Sequence, residues 1–555
     1  MRACPYRLHF LLGLAVTALG LSTGAQQAAA APDTPKVAWS PCYRDLGSPF
    51  ECGTVQAPLD HGDPGGAAIS IAMVRLPATD PARRIGSLFL NPGGPGGSGV
   101  DLVVFAGPFL YSPEVRARFD LVGFDPRGIG RSTAVRCFGN PRQWSGYITP
   151  FAFPVTPAEE AVWAAADRFL VDACDQRAPR LIDHMATADV ARDLDLLRQA
   201  VGDAGLTYAG YSYGSYLGVT YANLFPGKVR ALVVDGVLDP VAWSTGAAGQ
   251  QHLPFSTRIR ADAGAQATLD EFFRLCDAGS NCAFAGGAAA RFAALAASLR
   301  EAPILIVDPV SGATFPFSYA DLVINALVAM YNSFSWPSFA RFLAFLESGP
   351  APTALGLRLQ AFHEEAFITK RGFPRYPNAV EGFPSVACSD SDNPDSYAAW
   401  SSAASEAEEH FGYFGRYWTW ISSICAAWPG ADEDRYTGPF DRHTAKPVLV
   451  VGNHFDPATR YEGALAVRAL LPNSSLLTVH GWGHVSLFLS QCADQAVSRY
   501  LLDGTTPPDG TVCTQDVVPF GGPALTAAGA PVLTATLRQA RASLVPDVLL
   551  KAAVH

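Results

Sequence analysis

The sequence predicts an α/β fold in which a mostly parallel central sheet carries helices on both faces and is interrupted by a large helical lid insertion. Short apolar runs alternate with helix-period segments between residues 87 and 235, the pattern of parallel strands joined by helical crossovers. The strand pattern returns at 447–479, and the gap between the two blocks is helical and aromatic, with Trp400, Trp418, Trp420 and Trp428. At 555 residues the chain exceeds one ordinary domain. The division expected is 1–30 export signal, 31–240 first part of the sheet domain, 241–440 lid, 441–513 completion of the sheet, and 514–555 an alanine-rich tail without an assigned role.

At the N-terminus, Arg2 and Arg7 precede the apolar run Phe10 to Leu21, and Ala28-Ala29-Ala30 offers a small-x-small cleavage pattern. The run is shorter than the ~20 residues a membrane span needs, and no cysteine directly follows it to accept a lipid. The expectation is a secreted, extracellular protein with no membrane attachment once the signal is cleaved. Beyond Cys4 there are ten cysteines, at 42, 52, 137, 174, 276, 282, 388, 425, 492 and 513. An even count in an exported chain suggests disulfides. Pairing each cysteine with its sequence neighbour closes the shortest loops, although sequence alone does not determine connectivity. No C-x-x-C and no cysteine–histidine cluster at zinc spacing occurs, so no metal is expected. The net charge of −10 argues against a nucleic-acid partner, while 49% hydrophobic and 16% charged residues can fill large cores.

The elements follow in order. Residues 53–76 alternate apolar and polar around His61-Gly62-Asp63-Pro64-Gly65-Gly66, which predicts an antiparallel hairpin. Ser87 to Leu90 reads as a buried strand ending in the glycine-rich loop 91–97, and Phe119 to Phe124 as another ending at Asp125-Pro126-Arg127-Gly128. In that turn Asp125 is a turn residue and Arg127 its anchor. Val190, Leu194, Leu197 and Val201 share one face of a helix over 187–201. A strand at 206–210, a sharp turn at Ser212, a helix from Tyr213 to Leu224 and a strand from Val229 to Asp235 complete the first block.

Gly210-Tyr211-Ser212-Tyr213-Gly214 is the only G-x-S-x-G in the chain. Between an apolar strand and a helix it reads as a nucleophile elbow, whose glycines are required because side chains there would meet the adjoining strand and helix. A serine hydroxyl is a poor nucleophile unless a base, oriented by a third group, removes its proton. The chain order for such an elbow is Ser, then acid, then His. Asp456 lies in Gly452-Asn453-His454-Phe455-Asp456-Pro457 and His484 in His480-Gly481-Trp482-Gly483-His484, each in a loop after a strand. Ser212, Asp456 and His484 are therefore the candidate catalytic residues. His480 and His454 are rival bases, and Asp235 and Asp239 rival acids. An oxyanion needs backbone donors; Tyr213 N–H is one candidate, and Gly94 in the glycine loop is the other, with Gly93 next, since Pro92 and Pro95 have no N–H. Phosphate cradling is excluded because no Gly-Lys-Ser/Thr follows.

Leu90-Asn91-Pro92-Gly93-Gly94-Pro95-Gly96-Gly97, Gly123 to Gly128 and Gly210 to Tyr216 together resemble secreted actinobacterial tripeptidyl aminopeptidases, which group with the prolyl iminopeptidases among α/β-hydrolase peptidases. Pro447 to Ala458, His484 and the pair Cys492 and Cys513 are similar to that family's C-terminal portion, and Ala387-Cys388-Ser389-Asp390 matches within the insertion. The resemblance implies an α/β-hydrolase fold, a triad at Ser212, Asp456 and His484, no cofactor, and a serine exopeptidase that releases short peptides, commonly tripeptides, from a peptide substrate with a free N-terminus. It also implies that lid acids bind the substrate ammonium; Glu364, Glu365, Glu381, Asp390 and Asp392 are available. Pro92 stands where prolyl iminopeptidases usually carry histidine, which weakens an expectation of strict proline specificity. The alternative is a carboxylesterase or lipase using the same triad, because fold alone does not choose a substrate.

Overall fold

A computed structural model describes residues 35–366, 378 and 380–521. The strands are β1 (Ser40–Pro41), β2 (Glu51–Pro58), β3 (Ala68–Leu76), β4 (Gly86–Asn91), β5 (Phe119–Phe124), β6 (Leu206–Tyr211), β7 (Val229–Asp235), β8 (Ile304–Val307), β9 (Thr314–Phe317), β10 (Val448–Phe455), β11 (Ser474–Trp482) and β12 (Thr511–Thr514). Ten of them form one sheet in the order β1-β2-β3-β5-β4-β6-β7-β10-β11-β12. The pairings β1–β2, β2–β3 and β3–β5 are antiparallel, and every pairing from β5 to β12 is parallel. This is an α/β-hydrolase fold.

The uninterrupted apolar runs of the central strands follow from their having a core on both faces. Along β4, Phe89 packs into one cluster with Val122, Tyr208, Leu232 and Val450. Its neighbours Leu88 and Leu90 pack into the opposite cluster with Leu121, Ala209, Val233 and Leu449. The helices Thr187–Ala200 and Tyr213–Leu224 cover the first face, and Gly99–Phe105 and Gln491–Asp503 the second.

Residues between β7 and β10 build their own core from Phe272, Trp336, Phe339, Phe342, Phe362 and Tyr417. Sequence periodicity assigns no strands to that segment, yet β8 and β9 form a separate antiparallel hairpin there. Each has only four residues, too short for periodicity to separate it from helix. The expected tail from 514 also begins later. Thr514 ends β12 beside His480, and Phe520 inserts among Phe272 and Trp336 of the insertion core. The expected export signal at 1–30 and the tail beyond 521 lie outside the described residues.

Five disulfides join Cys42–Cys52, Cys137–Cys174, Cys276–Cys282, Cys388–Cys425 and Cys492–Cys513, each linking sequence neighbours. No helix among the described residues is long and apolar enough to cross a membrane.

Candidate active site

Ser212 sits between β6 and the helix Tyr213–Leu224 with φ 57° and ψ −127°, a region that side chains other than glycine rarely occupy. Both flanking glycines are sterically required: a Cβ at Gly210 would lie 2.1 Å from Gly214 O, and one at Gly214 would lie 2.8 Å from Asn91 O. The turn is held by Ser212 N–H donating to Asp235 O (2.9 Å) and by Ser215 N–H donating to Ser212 O (2.8 Å). The elbow therefore depends on β7 as well as on its own strand.

Asp456 and His484 leave the ends of β10 and β11 and meet. His484 Nδ1 lies 2.9 and 3.0 Å from the two Asp456 oxygens, with both side chains buried. The same carboxylate accepts the N–H groups of Ala458 (2.9 Å), Thr459 (2.8 Å) and Val485 (3.0 Å) and the Thr459 hydroxyl (3.0 Å). Burial works to raise its pKa. The charge and hydrogen bond of His484, with the Thr459 and Ala458 amides, outweigh burial and hold it below the ordinary carboxylate value. Asp456 is thus an anion that fixes one imidazole nitrogen.

His484 is fixed by its surroundings too. Its N–H donates to Tyr331 O (2.9 Å), and its ring meets the Tyr331 ring edge-on at 5.0 Å. A Cβ at Gly236 would lie 3.4 Å from His484 Cε1, so the imidazole lies against the residue that follows the Asp235 carbonyl bound by Ser212. Ser212, Gly94, Thr459 and Tyr331 line one cleft. The elbow and the glycine loop meet in this cleft at the carboxyl edge of the sheet, where open α/β sheets collect functional groups, and Thr459 and Tyr331, which contact Asp456 and His484, line it as well.

The rivals take other positions. Asp235 accepts the Ser486 N–H (3.0 Å) and hydroxyl (2.7 Å), bracing the loop that carries His484; burial pushes its pKa up to about 6. Asp239 caps the short helix Pro240–Trp243. His480 and His454 are exposed, and their tilted rings meet at 4.9 Å. Asp125 accepts the Ser98 hydroxyl and the Val100 and Arg131 amides, which ties the glycine loop to the turn after β5. Arg127 is completely buried among Asp193, Asp189 and three backbone carbonyls.

In the glycine loop, Gly93 donates its N–H to Asn91 Oδ1 (2.8 Å), whereas Gly94 lines the cleft beside Ser212. A Cβ at Gly93 would come within 2.8 Å of Ser212 Cβ and 2.9 Å of Tyr213 N, so only glycine allows the loop this close to the elbow. The Gly93 N–H is thus spent locally on Asn91.

Among the five lid acids, Asp390 is buried and committed: its carboxylate accepts Thr187 N–H (2.7 Å), Thr187 Oγ1–H (2.7 Å) and Trp243 Nε1–H (3.1 Å). Asp392 pairs with Arg435 at 2.5 Å. Glu381 is buried at the start of the helix Gly382–Asp390. Its neighbour Gly382 packs on Gly96, and Phe383 lines the cleft. The side chains of Glu364 and Glu365 lie outside the described residues. Tyr331, Thr459 and Ser486 carry no motif signal; each is defined only by contact across the fold. No group of three or more His, Cys, Asp or Glu among the described residues could hold a metal ion.

Known proteins are similar to this chain over most of its length. The family description "alpha/beta hydrolase fold" matches residues 86–272 and "TAP-like protein" matches 410–513. Carboxylesterase B of Mycobacterium tuberculosis is 32% identical over 88% of this chain and 92% of its own length. Serine protease Hip1 of the same organism is 29% identical over 86% of this chain and 91% of its own. Tripeptidyl aminopeptidase of Streptomyces coelicolor is 28% identical over 89% of each.

Proposed function

Because the chain belongs to the TAP-like family of α/β-hydrolases and is a serine hydrolase, we propose that it is a secreted exopeptidase that cuts short peptides from free N-termini through an acyl-enzyme. Ser212 Oγ attacks the carbonyl carbon while His484 Nε2 takes its proton. Asp456 holds the ring in the tautomer that presents Nε2 as the base and stabilises the imidazolium that forms. The oxyanion is received by the N–H groups of Tyr213 and Gly94. His484 then gives its proton to the leaving amine, the C–N bond breaks, and the acyl group remains on Ser212 until water, deprotonated by the same His484, releases it. The observation that carries this reading is the buried Asp456–His484 contact of 2.9 Å beside a serine held at φ 57°.

Peptidase character is supported by the relatives named serine protease and tripeptidyl aminopeptidase. It is also supported by the insertion between β7 and β10, which roofs the cleft and limits what enters. We assign the substrate ammonium to Glu381, two residues before the cleft-lining Phe383, since a desolvated carboxylate rewards a positive terminus and rejects a blocked one. Export is supported by the N-terminal pattern around Arg2, Arg7 and Phe10–Leu21 and by five disulfides, which persist in oxidising compartments.

The relative named carboxylesterase B favours a second reading, ester hydrolysis by the same residues. Comparing free and N-acetylated tripeptide anilides with short acyl esters separates the two. Cleavage of the free peptides alone supports the exopeptidase. Equal cleavage of blocked and free peptides removes ammonium recognition, and turnover of esters without any peptide cleavage removes the peptidase.

A further inference from the structure

The cleft beside Ser212 has a lining unusual for a site meant to receive a charged chain. Trp243, Phe255, Phe383 and Trp418 stand around Ser212 and Gly94, with Leu238, Ile259 and Ile421 between them, and no charged side chain is among its lining residues. Two of its hydroxyls are already engaged: Ser256 pairs with Ser422 Oγ (2.6 Å), and Thr459 donates to Asp456 (3.0 Å). The buried indole N–H of Trp418 has no hydrogen-bond partner among the described residues.

The aromatic wall is held from behind. Trp243 lies 5.7 Å from Tyr213, 5.8 Å from Tyr216 and 4.7 Å from Phe255 between ring centroids, and its indole N–H is held by Asp390. Arg258 donates to the carbonyls of Ala242, Trp243 and Ser244, which fixes the backbone of that wall. Phe383 follows Gly382, whose close packing on Gly96 ties the opposite wall to the glycine loop.

We propose that this recess is the specificity pocket for the acyl half of the substrate, and that it selects an uncharged apolar group on the residue whose carbonyl Ser212 attacks. The assignment to the acyl half rests on the exopeptidase reading. An enzyme that releases short N-terminal pieces encloses the piece that becomes esterified and leaves the longer departing chain outside. A lysine or aspartate side chain would lose its hydration in this recess with no counter-charge to replace it, whereas phenylalanine or leucine gains by leaving water.

The test is kcat/KM for free tripeptide p-nitroanilides Ala-Ala-X with X = Phe, Leu, Ala, Lys and Asp, alongside p-nitrophenyl acetate and hexanoate. Phe and Leu exceed Ala by about tenfold or more, Lys and Asp fall below Ala, and hexanoate exceeds acetate. Phe383→Ala, with folding checked by its melting curve, narrows the Phe-over-Ala ratio. If Lys or Asp substrates match Phe, or if Phe383→Ala leaves the ratio unchanged in a folded protein, the pocket assignment is overturned while peptidase activity stands. If no peptide is cleaved but hexanoate is preferred, the peptidase reading fails and the apolar pocket survives. Acetate preferred over hexanoate without peptide turnover overturns both.

Discussion

The carboxyl edge of the sheet and the insertion above it each bury an aspartate, and the two environments act in opposite directions. Asp456, at the sheet edge, is paired with His484 and receives three backbone N–H groups and a hydroxyl, which hold it ionised despite burial. Asp390, in the insertion, receives Thr187 and Trp243 but no cation; burial pushes its pKa up to about 7. A buried carboxylate stays charged when an ionisable partner and several amides share its charge, and otherwise takes a proton. The contacts of Asp456 hold a charge, and those of Asp390 hold the position of Trp243.

The sharpest test of the sheet-edge half is Ser212→Ala, expected to lower kcat by about a millionfold and to abolish labelling by a fluorophosphonate probe; retained labelling would place the nucleophile elsewhere. Asp456→Asn keeps the size of the side chain but removes the charge that selects the His484 tautomer, so kcat falls about 10⁴-fold. If activity in that variant instead stays within tenfold of the parent, Asp456 does not orient the base. On the insertion side, Glu381→Gln should raise KM for free tripeptide anilides roughly ten- to a hundredfold and leave N-acetylated substrates unaffected. A parallel loss on both would assign Glu381 to packing.

The smallest effect concerns Asp390. Its folded pKa of about 7 lies above the unfolded carboxylate value of ~3.9, so its contribution to stability is fully present below ~pH 4 and is lost as pH rises through 7. Asp390→Asn removes that dependence. The stability of the parent relative to the variant should decline between pH 4 and 7 by at most about 1.4 kcal/mol per pH unit, read from denaturant curves across that range. Parallel pH profiles would show that Asp390 does not titrate there.

Much of the sheet was legible because its signals are local. The apolar stretches Leu88–Leu90, Ala231–Val234 and Val448–Val451 lie within β4, β7 and β10, since a strand buried on both faces offers few polar positions. The elbow was legible for the same reason: the collisions that exclude a Cβ at Gly210 and Gly214 involve the turn's own strand and helix and the neighbouring β4. The β8–β9 hairpin was missed because four residues hold no period. Phe520 was missed because alanine-rich surroundings conceal a single ring whose partners lie more than one hundred residues earlier in the chain.

The sequence by itself determined the α/β sheet, the elbow at Ser212 and the loops that carry Asp456 and His484, because glycine spacing and strand ends are written in consecutive residues. Only the tertiary structure decided that Asp235 braces Ser486 rather than His484, that Gly93 is spent on Asn91 while Gly94 faces the cleft, and that Asp390 holds Trp243 instead of meeting solvent. Those choices depend on which side chains the packed helices and loops bring within about 3 Å of one another, and no local pattern encodes such a distance.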